Sequence, residues 1–536
     1  MKTIYFLCQL SLLIGTFQCA FAQQEAAIAT PNPVFADIHA HVSLRPYNST
    51  YPDRHEETDL WQEQVVSVSN RIYRFPKYLG QYEKVPAVSS ANLNKLAKGN
   101  VRIVFASICP IQQEFTQFRT WTKPLMLNKQ KRTNLMTYFS GSNHAKIEQL
   151  QRKQTDYFEE TLNELNFLQR DCGKKAPNST NTYKIARNYT EIQQILQTEP
   201  NTIIIIPNIE GGHALGTGMP QTLQMASQQP ELLEKQLKNN IQQLKQTPYP
   251  IFSITLANHF WNQLCGQTRT NHGAMTALVN EKIGQSTGIT PLGYTVIDEL
   301  LSDKNGKPIL IDIKHMSIES RLDFYRIIES KYPNLPIIYS HGGVNGLPNS
   351  YRKFDKNNEF IKDKGKEIRK NYLHPWSFNL YDDEIEQIYH SKGIIGIMLE
   401  DTRLGGKMAT KAINKTLDGT YQRRDEYIKV FMANAFHIVN VIKKPDAWNI
   451  IAVGSDFDGA INPMNQYADA SRFPELRADL IDFLYRVKQQ KIQLDATNYV
   501  FSNQEIVALM YDLTPEQIVD MVMFNNTNEF LMQNFK

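Results

Sequence analysis

Short runs of branched apolar residues recur along this chain, and most of them end in a histidine or a carboxylate. The most pronounced is the segment 202–216, in which four consecutive isoleucines precede Glu210, two glycines and His213. The run is too short to span a membrane and suits a strand that is buried on both faces. A carboxylate at the end of such a strand is often functional. Alone, the segment is equally consistent with a buried strand that ends in an ordinary polar turn.

The pattern predicts seven further strands and a series of helices between them. The strands are expected at residues 34–39, 101–108, 251–257, 308–313, 336–339, 393–399 and 448–453. Apolar residues at helical spacing predict helices at 145–168, 291–301, 318–331, 381–392 and 424–442, and closing helices at 474–491, 503–510 and 515–524. Strands that alternate with helices indicate a parallel sheet.

Eight such units predict an α/β fold of the (β/α)8 TIM-type barrel class, with long βα-loop insertions. A doubly wound open sheet is the alternative arrangement. No G-x-G-x-x-G motif opens a helix after a strand, so the dinucleotide-binding fingerprint of such sheets is missing. The insertions are polar and lie at residues 45–100, 112–198 and 353–376.

The first 22 residues are predicted to be a signal peptide. Lys2 precedes a mostly apolar segment at 4–17, and an A-x-A cleavage motif occupies 20–22. Cys19 would suit a lipoprotein, but the residues before it lack the expected small side chains, so cleavage after residue 22 is favoured. We therefore expect residues 23–536 to form a single exported domain, periplasmic or secreted, with no lipid anchor evident at its polar C-terminal end.

The amino-acid composition limits the kinds of protein that this chain can be. The chain has 536 residues, 41% of them hydrophobic and 21% charged, as in an ordinary globular protein. A formal net charge of +4, without a dense block of lysine and arginine, argues against a nucleic-acid partner. Beyond residue 22 only Cys109, Cys172 and Cys265 remain, so at most one disulfide can form within the chain.

The residues at the predicted strand ends are rich in histidine and carboxylate. They are His39, His41, Glu210, His259, His315, His341 and Asp456. In a barrel the carboxyl ends of the strands share one rim, so these residues would meet although they span most of the sequence. Imidazole and carboxylate groups suit zinc. For any one of these residues, a role as a buried polar group or a cap is the simpler explanation. For all of them together that explanation is improbable, because it would have to apply independently at several strands.

The order of these motifs resembles that of the membrane (renal-type) dipeptidase family, binuclear zinc peptidases of the amidohydrolase superfamily. The segments that carry the resemblance are D-I-H-A-H at 37–41, I-E-G-G-H at 209–213, T-L-A-N-H-F-W-N at 255–262, T-G-I-T-P-L-G at 287–293, D-I-K-H-M-S at 312–317, Y-S-H-G-G at 339–343 and G-S-D-F-D-G at 454–459. The resemblance extends from residue 34 to the C-terminal end, apart from the insertions.

This resemblance implies a set of metal ligands. His39 and His41 would bind one of two zinc ions. His315 and His341 would bind the other. Glu210 would bridge the pair, and a hydroxide held between the ions would attack a peptide carbonyl.

The resemblance also implies the residues that contact the substrate, a small peptide. His259 would touch the substrate and polarise its carbonyl, and Asp456 would receive the proton and pass it to the leaving amine. Asp458, two residues further on, suits that role less well. Arg352, which follows the sixth strand, would hold the substrate carboxylate. A homodimer is the implied assembly.

Two departures from the family pattern leave the substrate open. The family commonly has H-x-D at the first strand, where this chain has His39-Ala40-His41. Loops over a barrel rim set specificity, and here they are long. One alternative is therefore an amidohydrolase that acts on another amide, a lactone or a β-lactam. A second is a non-catalytic binding protein on the same barrel.

Overall fold

The computed structural model describes residues 32–65, 88–118, 129–271, 278–285, 287–354, 372–495 and 497–536. Phe35–Lys536 forms one compact unit. The predicted signal peptide at 1–22, together with 23–31 and parts of all three insertions, lies outside the described residues. No helix in the described ranges has the length and apolar character needed to cross a membrane.

A nearly closed parallel sheet forms the centre of the molecule. Its strands are β1 Phe35–Ala40, β2 Val101–Ile108, β3 Thr182–Ile185, β4 Thr202–Glu210, β5 Ser253–Thr255, β6 Leu310–Asp312, β7 Ile338–Gly342, β8 Ile394–Ile397 and β9 Ile451–Val453. Eight of them pair in the order β1-β2-β4-β5-β6-β7-β8-β9, and β3 pairs with β4 off this path. A parallel bridge between Ala40 and Phe457 joins the first strand to the last. The predicted (β/α)8 barrel is confirmed.

Helices follow the strands around the barrel. They are Leu44–Ser49, Leu93–Lys98, Lys129–Ser140, His144–Arg152, Tyr157–Gln169, Tyr189–Thr198, Pro220–Gln228, Pro230–Lys245, Pro291–Leu301, Ile318–Lys331, Asp382–His390, Asp401–Leu404, Lys407–Asn414, Tyr421–Ile442, Phe473–Lys488, Asn503–Leu509, Pro515–Asp520 and Asn526–Asn534. The helix predicted at 145–168 is two helices, because Lys153 ends the first in a left-handed conformation with φ of 58°. Strand β3 was not predicted.

Strand β4 shows why the isoleucine run forms a barrel strand. All nine of its residues are buried. Ile204 and Ile206 pack in the barrel interior with Ile38, Phe105 and other residues that the remaining strands contribute. The alternate residues Ile203, Ile205 and Ile209 pack in the layer between sheet and helices. Since side chains alternate along a strand, Glu210 falls on the face of Ile204 and Ile206 and emerges at the barrel mouth.

Candidate metal centre

The carboxylate of Glu210 lies between two pairs of histidines. Its Oε2 is 3.0 Å from Nε2 of His41 and 3.7 Å from Nε2 of His39. Its Oε1 is 2.7 Å from Nε2 of His315 and 3.8 Å from Nε2 of His341. The structure thus brings together all five predicted ligands. One oxygen faces each pair, as expected for a carboxylate that bridges two metal ions.

The turn after Glu210 depends on glycine. Gly211 has φ of 102°, a conformation that residues with a Cβ rarely adopt. A Cβ at this position would also collide with the His213 ring. The side chain of His213 is held by a hydrogen bond, in which its Nε2 donates to the carbonyl of Pro110 at 2.8 Å. Burial lowers the pKa of His213 to about 4, so the ring is neutral.

Asp456 adds a second carboxylate to the cluster. Its Oδ1 is 3.4 Å from Nε2 of His41, and its Oδ2 is 4.0 Å from Nε2 of His341. The backbone of Asp456 has φ of 60°, which aspartate tolerates better than most residues. Its N–H donates to the carbonyl of His39 at 2.9 Å. Asp456 is therefore fixed where the first and last strands of the barrel meet.

The neighbouring Asp458 has a different role. It accepts backbone hydrogen bonds from Ser90 at 2.8 Å and from Ala91 at 2.9 Å. Its Oδ1 also lies 3.0 Å from Nε of the buried Arg45. These contacts tie the first insertion to the barrel rim. Asp456 is consequently the better candidate for proton transfer, the role that the family resemblance implies for it.

The unpaired nitrogens of the cluster fit a metal. His39 and His41 are buried, and within the described part of the chain their ring nitrogens make no well-aligned hydrogen bond, although Nε2 of His41 lies close to Oε2 of Glu210. Buried polar atoms without partners are costly and need a further interaction. Three groups have ligand atoms within 4.8 Å of one another, and two of them share Glu210. The groups are His39 with His41 and Glu210, His39 with His341 and Asp456, and Glu210 with His315 and His341.

The electrostatics of the cluster also favour a bound cation. Burial acts to raise the pKa of Glu210, but His315, His39 and His41 outweigh it and hold that pKa well below its usual value. Burial acts to lower the pKa of His41, but Asp456 and Glu210 outweigh it and raise that pKa to about 10. The carboxylates therefore attract positive charge to the space between these side chains, where a proton or a metal ion can supply it.

His259 lies beside the cluster rather than within it. Its ring centroid is 5.2 Å from that of His315. Its Nδ1 lies 2.6 Å from Oγ1 of Thr270, whose hydroxyl donates to Oε1 of Glu281 at 2.8 Å. When Glu281 is ionised and accepts the proton of Thr270, Nδ1 of His259 is the donor in the first bond. Burial and His315 hold the pKa of His259 well below its usual value, so the ring is neutral.

A cavity opens onto the cluster, and the second insertion contributes Gln112, Phe115, Met136 and Ser140 to its wall. Its polar lining includes His41, Glu210, Asn258, His259, Glu400, Arg403 and Asp458. Its apolar lining includes Leu44, Ile111, Phe115, Met136 and Ile461. A recess next to it is lined by Glu210, His259, Thr270, His315, Phe378, Arg403, Asp456 and Ala460. The cavity lining therefore combines apolar side chains with ionisable ones.

Arg352, predicted to hold the substrate carboxylate, does not line this cavity or the recess. Its Nη1 and Nη2 donate to the two oxygens of Asp383 at 2.6 and 2.8 Å. The guanidinium also packs over the ring of Tyr381 at 4.9 Å. These contacts occupy both ends of the guanidinium fork and hold Arg352 against the helix Asp382–His390.

Two residues that the sequence reasoning missed, Glu400 and Arg403, line the cavity instead. They follow strand β8, in the segment L-E-D-T-R at 399–403. As at the other strand ends, a polar residue directly follows an apolar run. This segment contains neither a histidine nor a family motif, so its sequence alone gave no reason to select it. The three cysteines considered for a disulfide, Cys109, Cys172 and Cys265, are all free thiols.

Comparison with known proteins gives similarity in fold at low sequence identity. No protein-family model matches the chain, and no curated protein does. One similar solved structure is the dipeptidase AC, described as a metallopeptidase, which is 14% identical over 87% of this chain and 95% of its own, with a TM-score of 0.42. Another is a metallopeptidase from Rhodobacter sphaeroides liganded with a phosphinate mimic of L-Ala-D-Ala, 12% identical over 94% and 99%, with a TM-score of 0.44. A third is the probable dipeptidase PvdM from Pseudomonas aeruginosa, 13% identical over 83% and 88%, with a TM-score of 0.40. Solved structures similar to this chain thus include dipeptidases, the class that its motifs resemble.

Proposed function

We propose that this protein is an exported zinc-dependent hydrolase that binds two metal ions and cleaves dipeptides. The observation that carries the proposal is the position of Glu210, which directs one carboxylate oxygen to His39 and His41 and the other to His315 and His341. The histidine and carboxylate donor set suits zinc. The A-x-A motif at 20–22 supports export.

The protein's own residues suit the proton transfers of amide hydrolysis. Bound zinc would supply an activated water and polarise the scissile carbonyl. The carboxylate of Asp456, within 4.0 Å of His41 and His341, can hold a proton and release it to the leaving amine. Ile111 and Phe115 line the cavity that opens onto these groups.

His259 suits a bond from a substrate N–H better than a bond to the carbonyl oxygen that the family resemblance implied. With its proton on Nδ1, shared with Thr270, the neutral ring presents Nε2 as an acceptor. An acceptor can hold the amino or amide hydrogen of a peptide. It cannot donate to an oxygen that gains negative charge.

Replacement of His259 by alanine is expected to lower kcat/KM for a dipeptide about 10- to 100-fold, the effect of losing one hydrogen bond to a charged or polarised group. Metal content should stay unchanged, since His259 belongs to none of the three ligand groups. Steady-state kinetics and elemental analysis of the same sample measure both quantities. His390→Ala, at an exposed histidine on the end of a surface helix, is the control. Loss of metal in His259→Ala would contradict this placement.

The substrate class is tested by assaying the zinc-loaded protein against L,L- and L,D-dipeptides. We expect hydrolysis that a chelator abolishes and added zinc restores. A protein that carries two zinc ions but cleaves no dipeptide would overturn the proposed substrate. Another amide or a lactone is the second candidate, and the position of Arg352 outside the cavity favours it, so both belong in the same panel.

A further inference from the structure

Arg403 is a buried cation in the wall of the cavity that opens onto the metal-ligand cluster. It lies on the short helix Asp401–Leu404, which follows strand β8, and only 5% of its surface is exposed. Its Nη1 is 2.8 Å from Oε2 of Glu400 and 4.0 Å from Oδ2 of Asp456. Its Nη2 donates to the carbonyl of Ala460 at 3.1 Å. Glu400 and Ala460 thus fix the plane of the guanidinium beside the cluster.

The guanidinium retains an unused donor. Nε of Arg403 is buried and has no hydrogen-bond partner. A guanidinium carries five N–H groups in a rigid fork that matches a carboxylate. Arg403 lines both the main cavity and the recess that contains Glu210, His259 and His315, and among the described residues it is the one arginine in these linings. Glu400 already balances the charge of Arg403, but Nε has no acceptor among the described residues, and a carboxylate oxygen of a substrate would supply one.

The cavity lining also contains apolar side chains. They belong to Leu44, Ile111, Phe115, Met136 and Ile461. Burial of a hydrophobic substrate side chain against them would be favourable in proportion to the apolar area removed from water. The cavity therefore offers apolar surface together with the guanidinium of Arg403.

We propose that Arg403 binds the carboxylate of the substrate, and that the substrate is a dipeptide with hydrophobic side chains. This inference rests on the proposed dipeptidase function and names the substrate that the cavity selects. It assigns carboxylate recognition to a residue after β8 rather than to Arg352. The two assignments can be separated, because Arg352 is held by Asp383 outside the cavity.

The test compares L-Leu-L-Leu with its C-terminal amide as substrates of the zinc-loaded protein. The wild type should prefer the free acid. Arg403→Gln should lower kcat/KM for the acid about 10- to 100-fold, mainly through KM, and leave the amide nearly unaffected, so that the preference disappears. Arg403→Lys keeps the charge without the fork and should restore part of the preference. Arg352→Gln, the matched control, should keep the full preference.

Three results would overturn the assignment. They are an equal loss for acid and amide in Arg403→Gln with metal retained, an unchanged preference in that variant, or loss of the preference in Arg352→Gln instead. If Arg403→Gln fails to fold, the preference measured in Arg403→Lys decides the question. If the wild type cleaves neither compound, the proposed function fails on its own. Calorimetric titration of the same acid and amide into wild type and Arg403→Lys then still tests the role of Arg403. The assignment predicts that the wild type binds the acid more tightly than the amide.

Discussion

Replacement of Glu210 by glutamine is expected to leave the purified protein without its pair of metal ions and without hydrolytic activity. Both oxygens of Glu210 face histidine nitrogens, at 3.0 Å for His41 and 2.7 Å for His315. Glutamine has nearly the same shape, but one of its two positions is an amide nitrogen that cannot ligate a metal, and the side chain carries no charge. Elemental analysis after dialysis should find about two zinc ions per chain in the wild type and fewer than one in the variant.

A second buried glutamate provides the matched control. Glu164 accepts hydrogen bonds from Oγ of Ser43 at 2.7 Å and from the N–H of Cys109 at 3.3 Å, and it belongs to none of the ligand groups. Burial raises the pKa of Glu164 to about 7, so glutamine resembles a form that the native side chain already adopts near neutral pH. Glu164→Gln should keep both ions. If Glu210→Gln kept both ions as well, Glu210 would not be the bridge.

Replacement of Asp456 by asparagine is expected to lower kcat about 10²- to 10⁴-fold, the usual contribution of a positioned proton donor and acceptor. Asparagine keeps the size of the side chain but cannot take up a proton from the attacking water. Metal content should fall much less than in Glu210→Gln, because His39, His41, His315, His341 and Glu210 remain. Stopped-flow or steady-state kinetics with parallel metal analysis separates the two effects.

Asp458 is the comparison for this prediction, because it lies two residues away and is also buried. Its carboxylate binds the N–H groups of Ser90 and Ala91. Asp458→Asn should therefore lower the free energy of unfolding by about 1–3 kcal/mol, the cost of leaving a buried hydrogen-bonding group unsatisfied. Its kcat should fall less than that of Asp456→Asn. A larger loss of kcat in folded Asp458→Asn would reverse the two roles.

The barrel and the ligand set could be predicted because each depends on local sequence and on a general property of parallel sheets. Strand β4 contains four consecutive isoleucines, as suits a strand between two buried layers. The carboxyl ends of barrel strands share a rim, so His39 and Asp456 meet although they are more than 400 residues apart. No knowledge of the loops was needed for either inference.

The cavity could not be predicted, since it depends on how the insertions fold back over the rim. Ile111 directly precedes the second insertion and Met136 lies within it. Nothing in the sequence around either residue places it beside His259. Arg352 and Arg403 each follow a predicted strand, and the resemblance pointed to Arg352. The fold distinguishes them, because Arg403 lines the cavity whereas Arg352 pairs with Asp383 of a separate segment. Strand β3 was missed for a similar reason, because four residues inside a polar insertion give little periodic signal.

The most direct measurement of the central claim is anomalous diffraction at the zinc absorption edge from crystals of the full chain grown with zinc. We predict two peaks, one between Oε2 of Glu210 and the pair His39 and His41, and one between Oε1 and the pair His315 and His341. The peaks should lie about 3.5–4 Å apart, as in other two-metal sites. A single peak, or none within reach of Glu210, would contradict the account.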